Sequence, residues 1–219
     1  MPDEIPMSFD PPEFDQWAKD YDEETTKAEG FPFEGYSDVL DEIIHCAHVS
    51  QPVRVLDIGT GTGNLALRFF ALGCTVWGTD FSTAMLEIAR AKVSDQPSGI
   101  TFLHWDLRDP WPDEIKGDFD CIVSAYTLHH FDLQAKLDLL ETLGAHLKPG
   151  GHMALGDVAF ETYAKRDQAR TTYGQAWGEE YYWIAEETLP ALAQAGWQAA
   201  YRQVSTCAGV FCLERTNHV

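Results

Sequence analysis

The chain contains 219 residues and carries a formal net charge of −20, with 15 Lys and Arg against 35 Asp and Glu. Because phosphate groups are bound mainly by basic side chains, this charge argues against a nucleic-acid substrate and against an anionic membrane surface. The length and the 45% hydrophobic content fit a single globular domain, residues 1–219, and the short apolar segments argue against a membrane span.

The first part of the chain, residues 1–50, is predicted to form an N-terminal helical cap. Phe14, Trp17 and Tyr21 follow one another at helical spacing, and a second amphipathic pattern runs from residue 39 to residue 47. The N-terminus has neither a basic start nor an apolar core, so we expect no secretory signal and a cytoplasmic protein.

The next part, residues 51–160, alternates short apolar segments with amphipathic ones and is the predicted ligand-binding core. The pattern predicts strands at 53–58, 74–80, 100–106, 118–126 and 152–160, and helices at 62–72, 82–92 and 133–147. Such alternation implies right-handed crossovers and a mostly parallel sheet that carries helices on both faces.

The last part, residues 161–219, begins with a polar, aromatic, helix-like stretch to residue 182 and a helix at 185–195. Two segments at 197–205 and 210–216 are predicted to form an antiparallel pair. The predicted fold class is therefore α/β: a doubly wound, Rossmann-like sheet of seven strands, mostly parallel with the last strand antiparallel, under a helical cap.

The segment between the first strand and the first core helix is rich in glycine and reads DIGTGTGN over residues 57–64. Glycines let a ligand approach the backbone, and the start of the helix offers free N–H groups. A dinucleotide loop would need glycine where Asn64 stands. Asp57 would repel a pyrophosphate but suits a ligand with an ammonium or sulfonium charge, such as S-adenosylmethionine.

Two further aspartates end the next two predicted strands. Asp80 can accept hydrogen bonds from ribose hydroxyls, and Phe81 beside it can lie near an adenine. Asp106 can accept from an exocyclic amino group while the backbone N–H of Leu107 donates to a ring nitrogen. Each aspartate alone could be a loop cap, but three of them at the ends of successive strands indicate one shared site.

Five segments together resemble the ordered motifs of class I S-adenosylmethionine-dependent methyltransferases. They are VLDIGTGTGN (55–64), VWGTDFS (76–82), FLHWDL (102–107), FDCIVSAYTLHHF (119–131) and LKPGGHMALGD (147–157). The N-terminal segment 14–25 is similar more narrowly to the YrrT-like group of small methyltransferases, whose substrate is unassigned. One departure is Asp80, where many relatives carry glutamate, and both residue types accept ribose hydroxyls.

The resemblance implies an S-adenosylmethionine cofactor and the residues that contact it. These are Tyr21, Asp57, Gly59, Gly61, Asp80, Asp106, Leu107 and Ser124 or Ala125. From their positions we add Thr60, which lies inside the glycine loop, and Phe81, which follows Asp80.

The predicted catalytic residues are His129 and His130, which follow the fourth strand near the expected position of the methyl group. Either is a candidate base or orienter of an acceptor; alternatively, one hydrogen-bonds within the loop and the other packs beneath the cap. Aromatic residues of 160–183, with Phe31, Phe33 and Tyr36, are predicted to enclose an acceptor pocket or to pack as core. No metal site is expected because no paired Cys/His spacing is present, and the five cysteines are expected to be buried thiols.

We therefore expect a methyltransferase that acts on a small-molecule acceptor by in-line displacement, as a monomer or homodimer, with no nucleic-acid or membrane partner. The first alternative is a sensor that binds S-adenosylmethionine or S-adenosylhomocysteine without turnover. The second is an NAD-dependent oxidoreductase, which would have to place a pyrophosphate beside Asp57.

Overall fold

The computed structural model describes residues 11–49, 52–93 and 98–216, so residues 1–10, 50–51, 94–97 and 217–219 of the predicted domain lie outside the described part. The described α-helices are α1 (Pro11–Trp17), α2 (Tyr21–Lys27), α3 (Tyr36–Cys46), α4 (Asn64–Ala71), α5 (Thr83–Ala91), α6 (Leu133–Gly144), α7 (Tyr163–Tyr173) and α8 (Ala185–Gln194). The strands are β1 (Arg54–Ile58), β2 (Thr75–Asp80), β3 (Ile100–His104), β4 (Phe119–Ala125), β5 (Leu147–Phe160), β6 (Trp183–Ile184), β7 (Trp197–Gln203) and β8 (Ala208–Arg215).

The central sheet has the strand order β3-β2-β1-β4-β5-β8-β7. Neighbouring strands from β3 to β5 are parallel, whereas β8 is antiparallel to both β5 and β7. This arrangement confirms the predicted sheet of seven strands, mostly parallel with the last strand antiparallel. A short extra strand, β6, pairs with the end of β5 and was not predicted.

Both faces of the sheet are covered, which explains why its central strands are continuous apolar runs. Val55 of β1 belongs to the core cluster that contains Ile43 of α3 and Phe69 of α4. Leu56, the next residue, belongs to the opposite cluster with Leu140 of α6. The strand order reverses between β1 and β4, and open α/β sheets bind their ligands beyond the carboxyl ends of the strands at such a point.

The helical elements outside the core differ from the sequence prediction in two places. The helix expected at 14–21 is split, because the chain turns at residues 18–20 and α2 begins at Tyr21. The acidic residues of the first turn of α2 favour this new helix start, since the N-terminus of a helix is positively polarised. The stretch 161–182 is helical only to Tyr173 and then runs through a short 3₁₀ turn and an extended segment to β6.

The cysteines also differ from expectation. A disulfide joins Cys46 at the end of α3 to Cys212 of β8, with 5.8 Å between their Cα atoms, so the prediction of thiols only is wrong for this pair. The pair is 166 residues apart in sequence, and only the packing of α3 on the sheet brings it together. Cys74, Cys121 and Cys207 are buried thiols. Among the described helices, none combines the length and hydrophobicity needed to cross a membrane.

Candidate active site

The glycine loop connects β1 to α4 through three backbone positions with positive φ. Gly59, Gly61 and Gly63 have φ values of +63°, +54° and +83°, a region that glycine adopts without strain. A Cβ at Gly59 would lie 2.1 Å from Oγ1 of Thr127, whereas a Cβ at Gly61 would meet no atom within 4 Å. The loop is therefore packed tightly against the chain after β4 on one side and open on the other.

Asp57 lies buried beneath this loop, and only one of its two carboxylate oxygens accepts a hydrogen bond. Its Oδ2 accepts a hydrogen bond from Oγ1 of Thr60 at 2.6 Å, and its Oδ1 has no hydrogen-bond partner among the described residues. Burial raises the pKa of Asp57 to about 7 in spite of the Thr60 hydrogen bond, and the nearby charge of Asp80 adds to this shift. A buried oxygen without a donor is costly, so this position favours a ligand that brings a donor or a positive charge.

Asp80, at the end of β2, holds the loop from the other side. Its Oδ2 accepts from the backbone N–H of Gly61 at 2.8 Å, and its Oδ1 accepts from that of Ser82 at 2.8 Å. Burial raises the pKa of this carboxyl above its usual value, although these two hydrogen bonds oppose the shift. Asp80 therefore fixes the loop and the start of α5 relative to each other.

A cavity of about 460 Å³ opens between this loop, the ends of the strands and the N-terminal cap. Its wall is formed by residues of the glycine loop, the strand ends, the N-terminal cap and the 3₁₀ turn after β4. One further residue, Glu180, comes from the segment after α7. The principal lining residues are Phe14, Trp17, Tyr21, Glu24, Phe31, Phe33, Gly59, Gly61, Asp80, Phe81, Ala125, Tyr126, Thr127, His129, His130 and Glu180.

The cap is fastened over the cavity by polar contacts as well as by aromatic rings. Asp22 of α2 accepts from Oγ1 of Thr62 at 2.5 Å and from Nδ2 of Asn64 at 3.0 Å, and it pairs with Lys92 at 2.6 Å. The ring of Phe14 packs edge-on against Phe81 with 5.4 Å between centroids. The acidic N-terminal segment thus contributes specific contacts that its sequence did not distinguish from a solvated acidic surface.

His129 is held in place by a buried carboxylate. It lies on a 3₁₀ turn, Leu128–His130, and its Nδ1 is 2.5 Å from Oδ1 of Asp157 on β5. Asp157 also accepts from the backbone N–H groups of His129 at 2.9 Å and Val158 at 2.7 Å. Burial alone would lower the pKa of His129, but the charge and hydrogen bond of Asp157, with Glu180, raise it above its usual value.

A second carboxylate, Glu180, faces both histidines from the extended segment before β6. Its Oε2 lies 3.7 Å from Nε2 of His129, and its Oε1 lies 4.0 Å from Nδ1 of His130. Burial, together with the neighbouring His129, lowers the pKa of His130 to about 3. Asp157 and Glu180 were not predicted, although Asp157 stands out as the one charged residue of the apolar run MALGDVAF.

Comparison with known proteins shows the family of this chain. The Methyltransferase domain family matches residues 55–151. An uncharacterised methyltransferase of Oceanobacillus iheyensis is 32% identical over 203 residues, which cover 88% of this chain and 91% of the relative. The YrrT methyltransferase of Bacillus subtilis is 29% identical over 189 residues, covering 80% of this chain and 78% of the relative. The chain belongs to this methyltransferase family.

Solved structures agree with the fold of this methyltransferase. The complex of DhpI with SAH (S-adenosylhomocysteine) has a TM-score of 0.69 at 19% identity and covers 95% of this chain and 96% of that one. The magnesium protoporphyrin IX methyltransferase ChlM of Synechocystis with bound SAH has a TM-score of 0.70 at 17% identity, covering 94% and 100%. At these identities the likeness shows the fold. Together with the relatives, it confirms the predicted class I S-adenosylmethionine-dependent methyltransferase.

The structure of the methyltransferase brings most of the predicted site residues to the cavity wall. Tyr21, Gly59, Gly61, Asp80, Phe81, Ala125, His129 and His130 all line it. Three others lie buried behind the wall: Asp57 and Thr60, which are bonded to each other, and Ser124, whose Oγ donates to the carbonyl of Ile58 at 2.9 Å.

Asp106 and Leu107 are not among the lining residues. Asp106 is engaged by Arg108, whose Nε donates to it at 2.8 Å, and the pairing lowers the pKa of Asp106 in spite of partial burial. Leu107 lines a separate surface groove with Trp105 and Trp111. The adenine contacts implied for these two residues remain predictions.

Some rings of the predicted aromatic pocket line the cavity, and others pack against those rings. Phe31 and Phe33 line the cavity. Trp177 stacks on Phe31 with 5.1 Å between centroids, and Tyr182 packs edge-on against it at 5.9 Å. Tyr163 is exposed. None of the aromatic residues of 160–183 is among the described residues that line this cavity, and an acceptor pocket remains a prediction.

The residues at the loop fit the cofactor of this family better than a dinucleotide. The unused oxygen of Asp57 and the open side of Gly61 suit a ligand with a positive charge and a close backbone contact. Within the described part of the chain, no Lys or Arg lines the cavity, so a pyrophosphate would face Asp80 without a compensating cation. The oxidoreductase alternative is not favoured.

Proposed function

We propose that this methyltransferase methylates a small-molecule acceptor that binds in the cavity beneath α1 and α2. The observation that carries the proposal is that one cavity is lined by the glycine loop and Asp80 and also by His129, His130 and Glu180. A cofactor and an acceptor could therefore meet in a single space beneath the cap. When bound, S-adenosylmethionine supplies an electrophilic methyl group on its sulfonium sulfur.

The cofactor would occupy the glycine-loop end of the cavity. Asp80 would accept the ribose hydroxyls and the backbone at Gly61 would contact the amino-acid part, while Tyr21 and Phe81 would cover it from the cap side. Asp57, whose pKa burial has raised to about 7, would regain a compensating charge from the ammonium group of the ligand.

The size of the cavity supports a small acceptor. The whole cavity, with its cofactor end, measures about 460 Å³, which lies within the usual range for small-molecule pockets, about 300–1,000 Å³, so the acceptor would have only the part that the cofactor leaves free. The cap helices α1 and α2 contribute Phe14, Trp17, Tyr21 and Glu24 to the cavity wall, so the acceptor would bind beneath them. The proposal includes no nucleic-acid or membrane partner and leaves a monomer or a homodimer as the assembly.

His129 and His130 are the proposed catalytic residues. Displacement at an activated carbon depends chiefly on alignment, which can contribute about 7–11 kcal/mol. Since Asp157 engages Nδ1 of His129, Nε2 is the nitrogen that can orient an acceptor or take its proton. The ring of His130 packs against that of His129 in a tilted arrangement, with 4.1 Å between centroids, and lines the same end of the cavity.

A cytoplasmic location is part of the proposal. The three buried thiols fit a reducing compartment, where free cysteines persist. The disulfide between Cys46 and Cys212 does not support a reducing compartment.

Calorimetry and turnover together test the proposal. SAH should bind the purified protein, NAD should not, and incubation of S-adenosylmethionine with a metabolite library should yield SAH and a methylated product. Binding of SAH with no turnover on any metabolite would favour the sensor alternative. Binding of NAD with no response to SAH would overturn the proposal.

A further inference from the structure

Three hydrogen-bonding atoms converge at the histidine end of the cavity. They are Nε2 of His129, Nδ1 of His130 and a carboxylate oxygen of Glu180, and such atoms from the three residues lie within 4.8 Å of one another. The carboxylate is an acceptor. Each imidazole nitrogen is also an acceptor when its ring is neutral and its other nitrogen carries the proton, and for His129 this requires a pH above its raised pKa. A group of acceptors this close is stabilised by a shared cationic donor.

The cluster is built by contacts behind it. Asp157 fixes the ring of His129 through Nδ1, so that Nε2 faces Glu180. The segment that carries Glu180 is tied to the same turn, because the backbone N–H of Tyr181 donates to the carbonyl of His129 at 2.9 Å. Lys136 donates to the carbonyl of Tyr181 and lies 4.4 Å over the ring of Trp183, so the nearest buried lysine supports the segment from behind.

The separations of these atoms favour an ammonium group over a metal ion. A nitrogen held about 2.9 Å from each acceptor can bridge acceptors up to roughly 5.8 Å apart. Zinc ligands lie about 2.1 Å from the metal, so the ligands of one ion can be at most roughly 4.2 Å apart. An ammonium nitrogen can reach all three acceptors at any separation up to 4.8 Å without movement of the side chains. A metal ion can bind all three only at the shorter of these separations.

The surroundings of the cluster also select for an amine with an apolar body. Rings of the cap form the wall beside it, with Phe14 packed edge-on at 5.6 Å from His130. Glu24 is a further carboxylate of the same wall, and no Lys or Arg of the described residues lines the cavity. An acid would meet carboxylates here, whereas an amine would meet acceptors and aromatic faces.

We propose that the methyl acceptor is an amine with an apolar or aromatic body, whose nitrogen is held by Glu180, His129 and His130. This inference rests on the proposed function and names its substrate class. The ammonium passes one proton to Nε2 of His129, and the resulting amine forms the N–C bond. The C–S bond breaks as this bond forms, its electron pair stays on sulfur to give SAH, and the product leaves as a methylated ammonium.

Calorimetry on the SAH-saturated protein tests the substrate class without depending on turnover. The probes are benzylamine, 2-phenylethylamine and tryptamine, each compared with the carboxylate that carries the same ring. We expect amines to bind and carboxylates not to bind. Glu180→Gln should weaken amine affinity by about tenfold or more, because it removes a charged hydrogen-bond partner of similar size. SAH affinity should stay unchanged.

Glu179, next to Glu180 in the chain, offers a matched control. Glu179 is exposed and pairs with Arg170 on the surface, so Glu179→Gln should leave amine affinity unchanged. Mass spectrometry should then detect the N-methylated form of the tightest-binding amine.

Four results would overturn the amine inference while SAH still binds. These are binding of no amine in the set, equal binding of the carboxylates, no effect of Glu180→Gln on amine affinity, or a stoichiometric metal ion that Glu180→Gln removes. A protein that does not bind SAH at all would instead contradict the proposed function.

Discussion

The two ends of the cavity are built in different ways. At the glycine-loop end, the contacts are made mainly by the backbone of neighbouring segments: Gly61 in the loop after β1 and Ser82 after β2 donate their N–H groups to Asp80 at the end of β2. At the histidine end, the side chains come from distant segments, with His129 after β4, Asp157 on β5 and Glu180 before β6.

This difference predicts separable effects of substitution. A change at the loop end should alter the stability of the loop or the binding of the cofactor. A change at the histidine end should alter the acceptor and the rate of transfer while cofactor affinity stays the same. The comparison fails if substitutions at the two ends have the same consequences.

The largest effect is expected at the histidine end. Replacement of both His129 and His130 by Ala should lower turnover about 10²- to 10⁴-fold, the usual contribution of a positioned acid or base. SAH affinity should change little, since the loop end is intact. Production of SAH and calorimetry give the two readouts, and full turnover by the double variant would remove both histidines from catalysis.

At the loop end, two neighbouring glycines should respond differently. Gly59→Ala should destabilise the fold by roughly 3 kcal/mol, because the new Cβ would overlap Thr127 and the φ of +63° is strained for alanine. Gly61→Ala should cost only about 1–2 kcal/mol of backbone strain, since its Cβ would meet no protein atom. It should weaken SAH binding, because Gly61 lines the end of the cavity proposed for the cofactor. Urea unfolding checks the order, and equal losses of stability would contradict it.

The loop end also carries a pH signature that Asp57 produces. Its folded pKa of about 7 lies above the unfolded value of about 3.9, so the folded state holds a proton that the unfolded state has lost. Stability from this group is full below about pH 4 and falls as the pH rises towards 7, by about 4 kcal/mol.

Asp57→Asn should remove that slope, because asparagine keeps an acceptor for Thr60 and carries no charge. Unfolding free energies of both proteins across this pH range give the measurement. Parallel curves for the two proteins would show that Asp57 is ionised in the folded state throughout.

The smallest effect concerns Asp80 at the edge of the loop. Asp80→Ala should weaken SAH binding by more than tenfold, or about 1.4 kcal/mol, with circular dichroism unchanged. Asp80→Glu is the matched control and should retain most of the affinity, since it keeps the carboxylate. Unchanged affinity in Asp80→Ala would remove this residue from the cofactor site.

The same contrast explains what the sequence could predict. The glycine loop and Asp80 depend on contacts within about one βαβ unit, so spacing alone placed them together. Glu180 reaches the histidines only because the extended segment after α7 folds back to the turn after β4, a contact that no local pattern encodes. The split of the first helix and the bond between Cys46 and Cys212 likewise depend on how the cap and α3 pack on the sheet.

A crystal structure of the protein with SAH tests the central claim most directly. Density for SAH should lie at the loop end, with its ribose against Asp80 and its amino-acid part beside Gly61 and Asp57, and with space left towards Glu180 and His129. SAH bound outside this cavity, or filling the histidine end so that no acceptor could enter, would contradict the account.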